Sequence, residues 1–277
     1  MRVKELMSMK ILQQPDVEIS DDDYIQDGIL YCGKCHTPKQ VRLKYNDSII
    51  MPYCLCECEA KRLEKQRQEE GARAHFEHVE ELLSVGMPEK RMRSWCFDED
   101  DLANEKLSRV ARRYVEHFEE MADRGKGLLF YGTVGTGKSF ISACIANALI
   151  SKEIPCYFTS LSRLVNELSG RQDKQVFIDR LSRFKLLIID DLASERDTEY
   201  MNEMVQNIID ERYRSGKPLI VTTNLTAEEL KNPIDVSKQR LFSRLLEMCI
   251  PVEVKGKDRR KSKLKDDYKD LQDILGL

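Results

Sequence analysis

The chain lacks a strong net charge, a long hydrophobic run and an even number of cysteines. Charged residues make up 34% of its 277 residues, but the formal net charge is only −3. This balance excludes a polycation and confines any nucleic-acid contact to a local patch. The chain contains no stretch of 18 apolar residues, and its first 16 residues contain no signal-peptide core. We therefore expect a soluble, cytoplasmic protein without a membrane partner.

The nine cysteines are an odd number for a disulfide framework. Five of them crowd into residues 32–58, whereas the others stand singly in apolar surroundings. In a reducing cytosol the cluster indicates a metal and the single cysteines indicate packing. A chain of this length can bury one sizeable core and one smaller unit.

Residues 132–139, GTVGTGKS, match the phosphate-loop pattern G-x-x-x-x-G-K-[ST] in full. The apolar residues 128–131 before it predict a buried strand, and apolar residues at helical spacing follow it. In such a loop the backbone N–H groups surround phosphate oxygens, and the helix N-terminus adds partial positive charge. The context therefore predicts a site for ATP and Mg²⁺.

Lys138 is expected to reach the β- and γ-phosphates, and the Ser139 hydroxyl is expected to bind Mg²⁺. The predicted nucleotide-binding residues of this segment are Gly132, Thr133, Val134, Gly135, Thr136, Gly137, Lys138, Ser139 and Phe140.

Two further strands are predicted to end in polar side chains. Residues 186–191, LLIIDD, are typical of a buried parallel strand that delivers carboxylates to the sheet edge. Asp190 would hold Mg²⁺, and Asp191 would polarise the attacking water as a general base. Asn224 follows the strand 219–223 and either bonds the attacking water or γ-phosphate, or simply forms a turn.

Residues 235–248 predict a helix that places Arg240 and Arg244 on one face. Such a face is either solvated or supplies an arginine finger to the ATP site of a neighbouring subunit. The only tryptophan, Trp95, precedes the nucleotide-binding segment. It is expected either to pack in the core or to line an adenine pocket.

The cysteine cluster predicts a structural zinc site. Cys32 and Cys35 have the C-x-x-C spacing, and an 18-residue gap separates this pair and the second group. Two of Cys54, Cys56 and Cys58 would complete four ligands. His36 is a less favoured candidate ligand. The alternative to a zinc site is a cluster of reduced cysteines without metal. A structural metal would explain how so small a segment folds.

The organisation predicted along the chain has five parts. Residues 59–83 are dense in charge and favour a long helix, and residues around Gly86 break it. Between the cysteine pairs, alternation around residues 46–47 predicts a hairpin. The parts are an N-terminal arm (1–30), a zinc-binding module (31–60), a helical linker (61–85), an ATPase domain (86–265) and a C-terminal tail (266–277).

These segments resemble the AAA+ ATPases, and more closely the DnaC/DnaI-type helicase loaders and the related IstB transposition ATPases. The resemblance is carried by GTVGTGKS, LLIIDDLAS, IVTTNL and RLFSRLLEMC with the following VEVKGKDRRK, over roughly residues 86–265. The pattern YCGKCHTPKQVRL…PYCLCECEAKR is similar to the zinc module ahead of the ATPase in many loaders. The resemblance implies a three-layer α/β AAA+ phosphate-loop core with a parallel sheet.

The resemblance also implies residue roles. Lys138 and Ser139 match the Walker A end, and Asp190 and Asp191 match Walker B, with Asp-Asp where most AAA+ proteins have Asp-Glu. Asn224 matches the sensor I residue of these ATPases. Arg244 matches the finger that acts in trans, and Arg259 or Arg260 matches a late arginine that senses phosphate. The helix after Phe158 lies where these proteins contact single-stranded DNA.

The function implied is that of an ATP-dependent loader. It would self-associate through its ATP sites, bind single-stranded DNA and deliver a hexameric replicative helicase during replication initiation. The alternatives are an IstB-like regulator of a transposase and a nucleotide-gated adaptor with little turnover. The basic residues 255–265 either solubilise the chain or contact the DNA backbone.

Overall fold

The structure is a computed structural model that describes residues 19–45, 48–169, 173–192, 199–233 and 236–259, and single positions at 272, 274 and 275. The predictions for the first 18 residues, for the turn at residues 46–47, for Arg260 and for almost all of the tail lie outside the described residues. The chain divides into two compact units, residues 1–76 and residues 77–277.

The first unit contains two antiparallel hairpins. Their strands are β1 (Tyr24–Gln26), β2 (Ile29–Tyr31), β3 (Leu43–Tyr45) and β4 (Ser48–Ile50). Asp27 and Gly28 form the two-residue turn of the first hairpin with φ of 50° and 72°, and this left-handed pair matches the twist of the strands. The second hairpin is the one predicted around residues 46–47. The first hairpin covers the last residues of the predicted N-terminal arm (1–30) and ends at Tyr31.

Helix α1 (Glu57–Gly86) follows the second hairpin and contains the division between the two units. It is the long charged helix that composition predicted, and most of its side chains are exposed. Only toward its end do apolar side chains, among them Leu82 and Leu83, pack against a buried cluster of the second unit. Gly86, the last residue of the helix, has to be glycine because a Cβ there would lie 2.1 Å from the carbonyl oxygen of Cys156.

The second unit alternates helices and strands. After two 3₁₀ turns (Lys90–Ser94 and Phe97–Glu99), its elements are α2 (Glu105–Glu116), α3 (Phe118–Asp123), β5 (Gly127–Tyr131), α4 (Lys138–Ile150), β6 (Cys156–Ser160), α5 (Leu161–Ser169), α6 (Lys174–Leu181), β7 (Leu186–Leu192), α7 (Glu199–Arg214), β8 (Leu219–Thr223), α8 (Ala227–Lys231), α9 (Val236–Met248) and β9 (Cys249–Glu253). The two helices α2 and α3 are separated by His117 alone, which ends the first and precedes the second.

The strands of the second unit form a five-stranded parallel sheet in the order β6-β7-β8-β5-β9. Both faces are covered: Leu128 and Phe130 join one buried cluster, and Leu129 between them joins the other. This alternation confirms the predicted three-layer α/β core with a parallel sheet. Because parallel strands end at the same edge, β5, β7 and β8 bring the segments that follow them together.

Among the described residues, no helix combines the length and the apolar character needed to cross a membrane.

Candidate functional site

The loop between β5 and α4 depends on glycine at three positions. Gly132, Gly135 and Gly137 have φ of 131°, 78° and 96°, in the region that side chains rarely adopt. A Cβ on Gly132 would also lie 2.5 Å from the backbone oxygen of Val254. The backbone conformation of this loop therefore requires glycine at these three positions, as the phosphate-loop pattern predicts.

The Lys138 side chain is buried beneath this loop, with 6% of its surface exposed. Its ammonium donates to the carbonyl oxygens of Gly132 and Thr133, each at 2.8 Å, and to Oδ1 of Asn224 at 2.9 Å. Asn224 follows β8, so this contact joins the loop to a different strand. The predicted phosphate-binding lysine and the predicted strand-end asparagine are in direct contact.

Asp190 lies near the end of β7 and is 9% exposed. Burial raises the pKa of its carboxyl group, in spite of hydrogen bonds from Thr222 and Ser139 that favour the charged form. The hydrogen bond from Ser139 places the hydroxyl and the carboxylate predicted to bind Mg²⁺ next to each other. Oxygen donors of this kind suit Mg²⁺.

Asp191 points away from its strand neighbours because the backbone turns at this residue. Its φ is 58°, and the pairing of β7 with β8 shifts register between Ile189 and Leu192. The Asp191 side chain is exposed, and its Oδ1 accepts a hydrogen bond of 2.9 Å from Nδ2 of Asn224. Asn224 therefore bridges Lys138 and Asp191.

Thr222 is a site residue that the sequence analysis missed. Its hydroxyl donates to Oδ1 of Asp190 at 2.6 Å and accepts from the backbone N–H of Asp191 at 2.8 Å. The signal available in the sequence was a run of polar residues, Thr222, Thr223 and Asn224, at the end of an apolar strand.

These groups surround a cavity of about 690 Å³ at the carboxyl edge of the sheet. On one side, the rings of Trp95 and Phe140 lie 5.6 Å apart. Asn147 of α4 holds this side by donating to the carbonyl oxygens of Met92 and Trp95. Trp95 both packs against the core and lines the cavity, so filling the core and lining a nucleotide pocket are compatible roles for it. The lining residues include Arg91, Trp95, Glu99, Asp101, Lys138, Ser139, Phe140, Asp190, Asp191, Thr222, Asn224 and Arg259.

Arg259 reaches the cavity from the segment after β9. Its backbone N–H donates to the carbonyl oxygen of Gly135 at 2.9 Å, and its Nη1 lies 3.2 Å from Oδ1 of Asp101. A second carboxylate, that of Asp100, lies 4.0 Å from the same nitrogen. The late arginine of the resemblance is thus beside the phosphate loop, paired with an acid that the sequence analysis did not single out.

Arg244 does not line this cavity. Its guanidinium on α9 forms an ion pair with Asp210 on α7 and lies 5.9 Å from the ring centre of Tyr213. The side chain is 39% exposed. The structure therefore brings together Lys138, Asp190, Asp191 and Asn224, but leaves Arg244 on another surface.

The sulfur atoms of four cysteines converge in the first unit: those of Cys32, Cys35, Cys56 and Cys58 all lie within 4.8 Å of one another. The Sγ atoms of Cys32 and Cys58 are 3.6 Å apart, and those of Cys56 and Cys58 are 3.4 Å apart. With Zn–S bonds of about 2.3 Å, tetrahedral ligands would be about 3.8 Å apart. The cluster fits a zinc ion.

The other two candidate ligands are engaged elsewhere. The thiol of Cys54 donates to the carbonyl oxygen of Pro38 at 3.4 Å, and Nδ1 of His36 lies 3.3 Å from the hydroxyl of Tyr24. Among the described residues, the one group of three or more His, Cys, Asp or Glu side chains that could hold a metal ion consists of these four cysteines. The choice among Cys54, Cys56 and Cys58 therefore falls on the last two.

Comparison with known proteins places this site in a family. The model of the family described as IstB-like ATP binding protein matches residues 63–266. The chain is 25% identical over 218 residues to the replicative helicase loader DnaI of Bacillus subtilis, which covers 74% of this chain and 68% of DnaI. It is 26% identical over 171 residues to a protein of Mycobacterium tuberculosis named as an ATP-binding protein in an insertion sequence, covering 60% of this chain and 68% of that protein.

A crystal structure of the DnaC helicase loader has a similar fold. The TM-score is 0.52 at 26% sequence identity, and the match covers 60% of this chain and 99% of that structure.

Proposed function

The chain belongs to the IstB-like ATP-binding protein family, and from that membership we propose that it is an ATPase that loads a hexameric replicative DNA helicase onto single-stranded DNA. The observation that supports ATP hydrolysis is the convergence of Lys138, Asp190, Asp191 and Asn224 around one phosphate loop. The likeness to DnaI, which is named a replicative helicase loader, supports the loader role.

The geometry suggests how the residues would act on bound ATP. Lys138 would exchange its contact with Asn224 for the β- and γ-phosphates, since an ammonium favours phosphate oxygens over a neutral amide. Asn224, released on that side, would orient a water molecule together with Asp191, whose carboxylate takes its proton. Mg²⁺, when bound by Ser139 and Asp190, would neutralise charge on the phosphate oxygens.

Arg244 is proposed to complete the ATP site of a neighbouring copy. Its position outside the cavity of its own chain and its partial exposure are compatible with action in trans. Arg259 is proposed to sense the phosphates from within the same chain, where it already lies beside Gly135. Arg260 keeps the same proposed role, although it lies outside the described residues.

Residues 31–60 are proposed to form a structural zinc module with Cys32, Cys35, Cys56 and Cys58 as ligands. The proposed role of the metal is to fold the module, because so small a segment has little core of its own. In the proposed organisation, the module and the helical residues 61–85 dock the helicase, and residues 86–265 bind ATP and DNA.

The most informative experiment is a pull-down of the host's replicative helicase with the purified chain, in the presence of ATP. We expect a complex with the helicase, and an ATPase rate that changes when single-stranded DNA is added. Asp191→Asn should retain ATP binding and helicase binding but lose turnover. Absence of a complex, together with a turnover indifferent to helicase and DNA, would contradict the loader role.

The second candidate is a regulator of a transposase. The likeness to a protein of an insertion sequence favours it, whereas the cysteine cluster argues against it, because the transposase regulators of this family usually lack a zinc module. A pull-down with a transposase in place of the helicase separates the two. A nucleotide-gated adaptor would form either complex with little turnover in the wild type.

A further inference from the structure

A buried ion pair lies in the first unit with the cysteine cluster. Nζ of Lys39 is 2.6 Å from Oδ2 of Asp23, and the two side chains are 5% and 1% exposed. Lysine and aspartate are almost never fully buried unless paired, and burying such a pair contributes less to stability than packing apolar side chains would. In a unit with so little core, this arrangement indicates a role other than filling space.

Asp23 contacts the turn that carries the first two cysteines. Its Oδ1 accepts a hydrogen bond of 3.0 Å from the backbone N–H of Gly33, which lies between Cys32 and Cys35. Its Oδ2 accepts from the backbone N–H of Ser20 at 2.8 Å. The hydrogen bond from Lys39 and those from the two backbone groups lower the pKa of Asp23 to about 2. The carboxylate is therefore charged at neutral pH and fixes the turn.

Lys39 connects the two halves of the cluster. Its backbone N–H donates to the carbonyl oxygen of Leu30 at 2.7 Å, and its carbonyl oxygen accepts from the N–H of Cys54 at 2.7 Å. Burial lowers the pKa of the ammonium, but the hydrogen bond with Asp23 and the charge of its carboxylate act in the opposite direction, and the pKa is raised overall. Lys39 therefore stays charged and holds the carboxylate that fixes the Cys32–Cys35 turn.

The geometry points to Asp23 and Lys39 as positioning residues of the zinc site, where Asp23 holds the Cys32–Cys35 turn through the N–H of Gly33 and the buried ammonium of Lys39 holds Asp23. Contacts of this kind around metal ligands affect metal affinity about 10- to 100-fold. The inference rests on the proposed zinc site.

The test measures zinc release from the full-length protein. Metal analysis of the wild type comes first, because a wild-type chain without zinc would defeat the zinc proposal itself. The zinc-loaded proteins are then mixed with the chromophoric chelator 4-(2-pyridylazo)resorcinol. We expect Lys39→Met and Asp23→Asn to release zinc about 10-fold faster or more. The matched controls Lys44→Met and Asp21→Asn, at exposed positions of the same unit, should release it at the wild-type rate.

The inference would be overturned if the wild type holds zinc but Lys39→Met and Asp23→Asn release it at the rate of their controls. The double variant Asp23→Asn/Lys39→Met tests whether the two charges do no more than neutralise each other. If it releases zinc at the wild-type rate, the inference is also overturned. We expect the double variant to release zinc as fast as the single variants, and Lys39→Arg to release it as slowly as the wild type. If Lys39→Met yields no zinc-loaded protein, Asp23→Asn and the cobalt-bound absorption spectrum of Lys39→Arg decide in the same way.

Discussion

The hydroxyl of Thr222 organises the two aspartates of the nucleotide site. It is the one side chain described here that bonds both Asp190 and the backbone of Asp191. Without it, the buried carboxylate would lose a charge-assisted hydrogen bond, and the N–H that fixes the unusual backbone at Asp191 would lose its acceptor.

We predict that Thr222→Val lowers the ATPase kcat about 10-fold or more, because a hydrogen bond to a charged group contributes about 1.5–3 kcal/mol. Binding of a fluorescent ATP analogue should persist. Thr223→Val is the matched control: Thr223 is equally buried on the same strand, but its hydroxyl donates to the carbonyl oxygen of Leu192. Equal kcat values for the two variants would contradict this role for Thr222.

In the proposed ATP-bound state, Asp101 would compete with phosphate for the guanidinium of Arg259. We predict that Asp101→Asn tightens ATP binding about 2- to 5-fold, because an ion pair with a carboxylate that is 61% exposed contributes at most about 1 kcal/mol. Titration with the fluorescent analogue measures the change, and the gain should shrink at high salt.

The same substitution in an Arg259→Ala background should leave the affinity unchanged, since the double-mutant cycle isolates the pair. Weaker binding by Asp101→Asn alone would show that Asp101 orients Arg259 instead of competing for it.

Among the elements, the segment that follows β9 lies along the phosphate loop. Val254 donates to the carbonyl oxygen of Tyr131, and Arg259 donates to that of Gly135. The side chain of Asn104 joins this segment to α2: its Nδ2 donates to the carbonyl oxygen of Lys255 at 3.1 Å, while its Oδ1 caps the helix through the N–H of Leu107.

The two functions of Asn104 can be separated. Asn104→Ser should keep the helix cap but lose the contact with Lys255, so we expect an unchanged Tm and weaker ATP binding. Asn104→Ala should lose both, with about 1 kcal/mol of stability lost in addition. Thermal unfolding and ATP titration of the two variants measure these effects, and identical ATP affinities for Asn104→Ser and wild type would show that the contact with Lys255 is unimportant.

For the molecule as a whole, we propose that the ATP site is shared between neighbouring copies. We predict that Arg244→Ala lowers turnover roughly 10³-fold, as expected for loss of an arginine finger. An equimolar mixture of Arg244→Ala with Asp191→Asn should regain about a quarter of the wild-type rate, because in random head-to-tail association one interface in four pairs an intact Asp191 with an intact Arg244.

Asp210→Asn is the control for this prediction, because it removes the ion pair within the chain and keeps Arg244. We expect it to remain active. A mixture of Arg244→Ala and Asp191→Asn that stays as slow as its components would argue against a shared site.

Local patterns predicted a large part of this molecule. The glycines of residues 132–137, the apolar runs of β5, β7 and β8, and the spacing of Cys32 and Cys35 each constrain neighbouring residues, so their consequences are visible in the sequence. The break between α2 and α3 and the first hairpin were less visible, because short elements carry little periodicity.

The strand–loop–helix unit, the acidic strand end and the cysteine cluster follow from local sequence patterns. The fold was needed to show that Cys56 and Cys58, and not Cys54, lie beside the first pair, since all three follow that pair at similar spacing. It was also needed to show that Thr222 bonds the side chain of Asp190 and the backbone of Asp191. For Thr222, the reason is that β8 lies between β7 and β5 in the sheet although it follows both in the chain. Contacts made across that order depend on which strands are neighbours in space, which spacing along the chain does not specify.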